Sequence, residues 1–414
     1  MIDWVLMKLD QLGTVERGRS RHRPRNDPIL YGGAYPFFQT GDVKAAEFYL
    51  TAFSQTYNET GLAQSRLWPA GTLCTTIAAN IAESAILGVP GCFPDSIVGF
   101  TSDVRVSDVR FVKYLLDATK LRMQAVSRGT TQDNLSLDKL LSFELLVPPL
   151  PVQRKIAAVL AAYDELIEND LRRIEILEEM AQAIYREWFV FFRYPGHDAD
   201  DLIDSPLGPI PKGWDVTALA EVADVNAISV RKGSAPAEIN YVDISSVSPR
   251  SVDATKSMPF EEAPSRARRV VRSGDTIWST VRPNRRSFAL VLDPPENTIA
   301  STGFAVLTPT KVPYSYLYSA VGNHEFAAYL TNHARGAAYP AVNVEDFEKA
   351  AVLRPPGGLL DTFHDRTAPM LKLAQVLSST NRNLRTTRDL LVPKLISGDI
   401  DVSDLDIDTS WLAA

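Results

Sequence analysis

From Ile156 onward, apolar residues follow a four-three rhythm. Ile156, Tyr163, Leu177, Ile184 and Phe191 fall at seven-residue intervals, with Asp170 in the same series. Leu160, Ile167, Ile174, Ala181 and Trp188 form a second series four places later. Neither glycine nor proline interrupts the run after Pro151. Two interleaved series of this kind predict one long helix with a coiled-coil seam. About 40 residues at roughly 1.5 Å each would extend about 60 Å, and such a helix needs a partner to cover its stripe.

The same chain supplies that partner. About 207 residues further on, Phe363, Met370, Leu377, Leu384 and Leu391 alternate with Thr367, Ala374, Asn381, Arg388 and Leu395. This second stripe is more polar than the first. Isolated polar seam residues set register and orientation at some cost in stability.

The doubling extends beyond the helices. Trp4, Leu9, Leu12 and Val15 recur with the same spacing as Trp214, Leu219, Val222 and Val225. Arg66–Ile77 (RLWPAGTLCTTI) resembles Arg269–Val281 (RVVRSGDTIWSTV), Arg128-Gly129 returns as Arg335-Gly336, and Pro148-Pro149 as Pro355-Pro356. Within each copy, LCTTIA, DSIVGF, TIWST, FALVL and FAVLT are predicted strands, and Phe111–Val126 and Tyr314–Thr331 predicted helices.

The expected fold class is therefore α+β: two duplicated mixed α/β domains separated by two long helices that form an antiparallel coiled coil. The expected boundaries are a first domain at 1–150, a long helix at 151–194 and an exposed linker at 195–213. A second domain at 214–358, a second long helix at 359–400 and a loosely attached acidic tail at 401–414 complete the chain. Each helix leaves its own domain at the same end, so antiparallel pairing would set the two domains at opposite ends of the helix pair.

Composition narrows the class without naming a function. Of 414 residues, 45% are hydrophobic and 22% charged, ordinary values for a globular protein. No apolar run is long enough to span a bilayer, and MIDWVLMKLD is too short and too charged for a signal peptide. Two cysteines, Cys74 and Cys92, fit neither a disulfide framework nor a zinc pattern, which points to the cytoplasm. The net charge of −7 argues against a chain that coats nucleic acid unaided.

Catalytic signatures do not assemble. Asp293-Pro294-Pro295 is followed by Glu296 where a base-stacking aromatic residue would be needed, and it reads as a turn. There is no glycine-rich phosphate loop, Pro94-Asp95 lacks the rest of a nuclease site, and the five histidines are scattered. The expectation is a non-catalytic chain with no cofactor and no metal site.

Arginine stands out instead. Arg17, Arg19, Arg21, Arg23 and Arg25 occupy alternate positions, and an extended chain would aim all five one way, suited to a row of phosphates. In the second copy, Arg266, Arg268, Arg269 and Arg272 precede the TIWST strand, and Arg282, Asn284, Arg285 and Arg286 follow it. Arginine pairs with guanine and asparagine with adenine, so the RPNRR turn can carry base contacts. Gln39, Thr40 and Asp42 add polar groups to the first copy. Shared scaffold residues with different polar loops suggest two recognition modules with different targets.

Taken together, these motifs resemble the DNA-specificity subunit of type I restriction–modification systems. The resemblance runs through YGGAYPFFQTGDV (Tyr31–Val43), VPPLPVQRKIAAVL with its long helix and REWFVFFRYPGH, SPLGPIPKGW (Ser205–Trp214) and LLVPKLISGDIDV (Leu390–Val402). It implies a cytoplasmic phage-defence protein that binds double-stranded DNA at a bipartite asymmetric target. It also implies two methyltransferase subunits as partners, restriction/translocase subunits recruited with them, and no membrane. The apolar cluster Trp188, Phe189, Phe191 and Phe192 is the expected docking point for a methyltransferase subunit. The alternative is an adaptor with two ligand-binding domains on a helical spacer and no DNA readout.

Overall fold

The structure is a computed structural model and describes residues 4–127, 135–196, 201–231, 233 and 235–413. Arg128-Gly129 and His197 fall outside these. The chain forms two compact units, Met1–Asn169 with Asn383–Ala414, and Asp170–Arg382.

In the first unit, strand Gly13–Arg17 pairs antiparallel with Ile97–Ser102, which pairs with Leu73–Thr76, then Ser84–Leu87. Tyr49–Leu50 adds a fifth, parallel strand. A hairpin-like pair, Tyr31–Phe37 with Gln55–Tyr57, lies outside this sheet, as does Val5–Met7 with Leu145–Val147. Leu73, Ile86, Val98 and Phe100 meet Phe111, Leu115 and Met123 of helix Val109–Ser127 in one core. β-branched and aromatic residues fill the strands and a 3.6-residue stripe lines the helix, as each geometry requires.

The second unit repeats this plan. Ala223–Val225, Phe304–Pro309, Asp275–Ser279 and Phe288–Val291 make an antiparallel sheet in the same order as the first four strands of the first unit. Asp215–Ala218 pairs with Ala351–Arg354, matching the Val5–Met7 pair. A second sheet, with Lys256–Pro259, Glu238–Val242, Thr298–Ser301 and Ala267–Val270 in that order, has no counterpart of that size among the described residues of the first unit. The helix expected over Tyr314–Thr331 is two helices, Tyr314–Val321 and His324–His333. They break at Gly322, and the Asn323 side chain accepts from the Phe326 N–H at 2.7 Å to cap the second.

Both long helices exist, at Leu150–Phe189 and Gly357–Ser397. Each gives part of its length to each unit. In the first unit, Val152, Ile156 and Leu160 share a core with Leu395 and Ile396. In the second, Phe363 packs on Tyr185, Trp188 and Phe189. The start of one helix thus meets the end of the other within each unit, which is antiparallel pairing. The polar seam residues Asp170, Thr367 and Asn381 are buried as the heptads require.

Two expectations are corrected here. The first helix stops at Phe189, short of 194, where Phe192 takes a left-handed φ of 57° and turns the chain away. The acidic tail is docked rather than loose. Val402 and Leu412 are buried in the first unit's core. Lys155 Nζ donates to the carbonyls of Ser403 and Leu405 at 2.6 and 2.8 Å, and Arg110 donates to that of Leu412 at 2.6 Å. Alternating apolar residues among the aspartates anchor it, and net charge alone hides them.

Candidate nucleic-acid interfaces

In the first unit the arginine row begins on the sheet edge and then leaves it. Arg17 ends its strand, and the Gly18 and Arg19 N–H groups bond the carbonyls of Ile97 and Phe93 at 2.8 and 3.0 Å. Gly18 passes so close that a Cβ there would lie 2.3 Å from the Pro94 oxygen, so only glycine fits. The chain then bends at His22–Pro24 and turns at Arg25-Asn26. The five side chains are all exposed, but they do not form one extended row. Proline at 24 and the packing of this segment against neighbouring loops override the two-residue period.

Those neighbours divide the arginines by role. Arg25 grips the Asp95 carboxylate with bonds of 2.7 and 3.0 Å, and Arg17 Nε donates to the Asp95 carbonyl at 3.2 Å. Arg23 holds the carbonyls of Ser20 and His22, both at 2.8 Å. The backbone N–H groups of Arg21 and His22 both donate to Gln64 Oε1, at 2.6 and 3.0 Å, and Ser65 Oγ donates to the Arg19 carbonyl at 2.7 Å. Among the described residues, the Arg19 and Arg21 side chains make no hydrogen bond or ion pair. These two guanidiniums are the ones available to an anion, on a backbone already fixed. Gln39 precedes the helix Thr40–Ala45 and donates to Gln55 at 2.8 Å. Phe53, not singled out by the sequence, is exposed, and its ring meets buried Phe38 edge-on at 5.9 Å.

In the second unit the RPNRR turn joins the neighbouring strands Asp275–Ser279 and Phe288–Val291, the second of them at the sheet edge. Arg282 and Arg286 adopt left-handed φ values of 51° and 54°, and between them Pro283–Arg285 makes one 3-10 turn. Such conformations cost a non-glycine residue about 1 kcal/mol or more and persist where surroundings hold them. Here the Arg282 N–H donates to the Pro340 carbonyl at 2.7 Å, and Arg286 Nη2 donates to the Gly322 carbonyl at 2.6 Å. Arg286 also lies beside the His324 ring, and partial burial pushes its pKa down. Asn284 and Arg285 are left exposed at the apex.

Arg266, Arg268 and Arg269 have partners of their own. Arg266 pairs with Asp243 at 2.9 Å, Arg268 lies 5.4 Å from the Phe260 ring, and Arg269 donates to Ser229 at 3.0 Å. Burial pushes the Arg269 pKa down, and its Nε finds no acceptor among the described residues.

The apolar cluster at the end of the first helix is not a free surface. Trp188 and Phe189 are buried in the second unit's core, Phe189 against Phe363, Tyr316 and Trp214. Phe192 packs edge-on against Trp214 at 5.5 Å. Only Phe191 is exposed, with Arg193 5.0 Å from its ring. The heptad pattern shows that these residues are apolar but not what they cover.

Among the described residues, no group of three or more His, Cys, Asp or Glu could hold a metal ion, and no helix is long and apolar enough to cross a membrane. Cys74 is fully buried, and desolvation raises its pKa far above that of a reactive thiol.

Residues 1–179 match the family described as the type I restriction modification DNA specificity domain. The type I restriction enzyme MjaIX specificity subunit of Methanocaldococcus jannaschii is 24% identical over 97% of this chain and 95% of its own. The HindI specificity subunit of Haemophilus influenzae is 21% identical over 97% of this chain and all of its own length. The fold is similar to that of the S subunit of a type I restriction-modification system from M. genitalium, with a TM-score of 0.59, 15% identity and coverage of 95% and 96% of the two chains. The resemblance read from the motifs is borne out along nearly the whole chain.

Proposed function

We infer that this chain, a type I restriction–modification specificity subunit, reads a split and asymmetric target in double-stranded DNA, one half with each of its two α+β units. The carrying observation is a repeated sheet whose equivalent turns differ in chemistry. Between the paired strands Leu73–Thr76 and Ser84–Leu87 the turn is IAANIAE, with no basic residue. Between the equivalent strands of the second unit it is TVRPNRRS. One scaffold carrying two sets of side chains suits two different half-targets.

Residues 1–150 and 214–358 would be the recognition domains. Arg19, Arg21, Gln39 and Thr40 in the first, and Asn284 with Arg285 in the second, are the groups best disposed to meet DNA. Arg17, Arg23, Arg25, Arg266, Arg268, Arg269, Arg282 and Arg286 would shape or flank those surfaces while bound to their own neighbours. The chain itself supplies no reacting group. Two methyltransferase subunits bound to it would modify the target, and restriction subunits would join that complex. An adaptor without DNA readout leaves the exposed, rigidly presented arginines without a role.

Methylome sequencing of a host with and without this gene tests the reading. A bipartite motif whose methylation disappears with the gene is expected, and an unchanged methylome would refute it.

A further inference from the structure

Beside the RPNRR turn lies a loop that the sequence marked only by the repeated Arg335-Gly336 pair. The N–H of Arg335 donates to the carbonyl of Ala341 at 2.8 Å and the N–H of Ala341 returns the bond at 2.9 Å, closing residues 335–341 into a tight loop. Gly336 takes a φ of 105° that a residue with a side chain would resist. Arg335 is tied to Asp346 at 3.2 Å. The loop is registered on the turn by Val342 N–H to Thr280 O at 2.9 Å and Arg282 N–H to Pro340 O at 2.7 Å.

At the loop's tip stands Tyr339. The residue is 69% exposed, the most exposed of the Phe, Tyr and Trp among the described residues. Gly336, Ala337 and Ala338 beside it are exposed too, so nothing bulky shields it. Arg282 lies 4.7 Å from the ring centroid and donates to the Ala338 carbonyl at 3.3 Å, which braces the ring on the same turn that presents Asn284 and Arg285. A large aromatic group held this far into solvent loses apolar hydration when covered, and a braced ring gives up little freedom on binding.

We propose that Tyr339 is a DNA-contacting residue of the second unit, packing its ring against a base or deoxyribose in the groove where Asn284 meets a base edge and Arg285 a phosphate. The proposal rests on the reading of the chain as a DNA-recognition subunit. Duplex DNA suits this surface because it offers an anionic backbone for Arg285, hydrogen-bonding edges for Asn284 and apolar sugar and base faces for the ring. The second unit thus reads with a composite of two segments, turn 282–286 and loop 335–341.

The test uses the full complex of this chain with its methyltransferase subunits, and a duplex carrying the target found by methylome sequencing. Fluorescence anisotropy at several salt concentrations gives Kd and its salt slope. Tyr339→Ala should raise Kd about tenfold, in line with aromatic–base contacts, with the slope unchanged because an uncharged ring releases no counterion. Tyr339→Phe and Tyr339→Trp should stay within about twofold of wild type, and Arg285→Ala should flatten the slope by about one. Wild-type binding by Tyr339→Ala overturns the proposal, and so does an equal loss in Tyr339→Phe. If the wild-type complex itself ignores its target, the DNA reading fails; if only the tyrosine variants behave as wild type, this proposal alone fails.

Discussion

The Tyr318 hydroxyl donates to the Glu178 carboxylate at 3.2 Å, in the interior of the second unit, and Arg250 approaches the same carboxylate to 3.4 Å. The first unit has a like arrangement, with Tyr114 and Arg388 both on buried Asp164. Tyr114 and Tyr318 lie on equivalent helices of the two repeats, Val109–Ser127 and Tyr314–Val321. Both carboxylates belong to the first long helix, two heptads apart. Each domain is therefore pinned to that helix by a buried tyrosine–carboxylate bond.

Burial raises the pKa of Glu178 from 4.5 to about 7, outweighing the opposing pull of Arg250 and Tyr318. A carboxyl whose folded pKa is raised gives stability that is fully present below the unfolded value and is lost as pH rises through the folded one. The contribution should fade between about pH 4.5 and 7, by at most on the order of 3 kcal/mol. Hydrogen-exchange protection of Tyr314–Val321, followed against pH, should show this fall in the wild type and a flatter profile in Glu178→Gln. A wild-type-minus-variant difference that is constant from pH 5 to 8 would contradict it.

Phe189 is 1% exposed and in contact with five aromatic rings, Tyr185, Trp188, Trp214, Tyr316 and Phe363. Phe189→Ala should cost about 3–5 kcal/mol through lost transfer energy and a cavity. Limited proteolysis should then cut the second unit far faster. Phe191→Ala, at an exposed site, should leave stability within about 0.5 kcal/mol. If a methyltransferase subunit uses this end of the helix, Phe191→Ala is the variant that weakens co-purification without unfolding. Equal proteolysis of wild type and Phe189→Ala would show the packing to be misassigned.

Arg19 and Arg21 have no side-chain partner among the described residues, whereas Arg25 is held by Asp95. Replacing Arg19 and Arg21 with glutamine should weaken DNA binding by the assembled complex and lower the salt slope by nearly one unit per lost phosphate contact. Arg25→Gln should change the slope less and cost about 1 kcal/mol or less of stability, since its ion pair is half exposed. Filter binding at several salt concentrations separates the two. An unaltered slope in the Arg19/Arg21 variant would mean that these side chains touch no phosphate.

The sequence by itself determined what is periodic and local. The seven-residue spacing from Ile156 to Trp188 and from Phe363 to Leu395 specifies two helices, since 3.5-residue periodicity has one backbone that satisfies it. Recurring strands such as LCTTIA and TIWST specify a repeated sheet, because buried β-rich runs bounded by glycine turns suit little else. Tertiary structure decided what each side chain faces. Trp188 and Phe189 read as surplus apolar surface until residues remote in sequence close over them, Phe363 over Trp188, and Trp214 and Tyr316 over Phe189. The alternation from Arg17 to Arg25 would aim five charges one way only in a straight strand, and Asp95, Gln64 and Ser65 bend and bind it instead. Tyr339 carried no signal beyond its company of Gly, Ala and Pro, because exposure is a property of the neighbours that fail to cover a residue. Periodicity is written along the chain, whereas burial and partnership arise from residues far apart in it, so a single chain read in order reports the first and not the second.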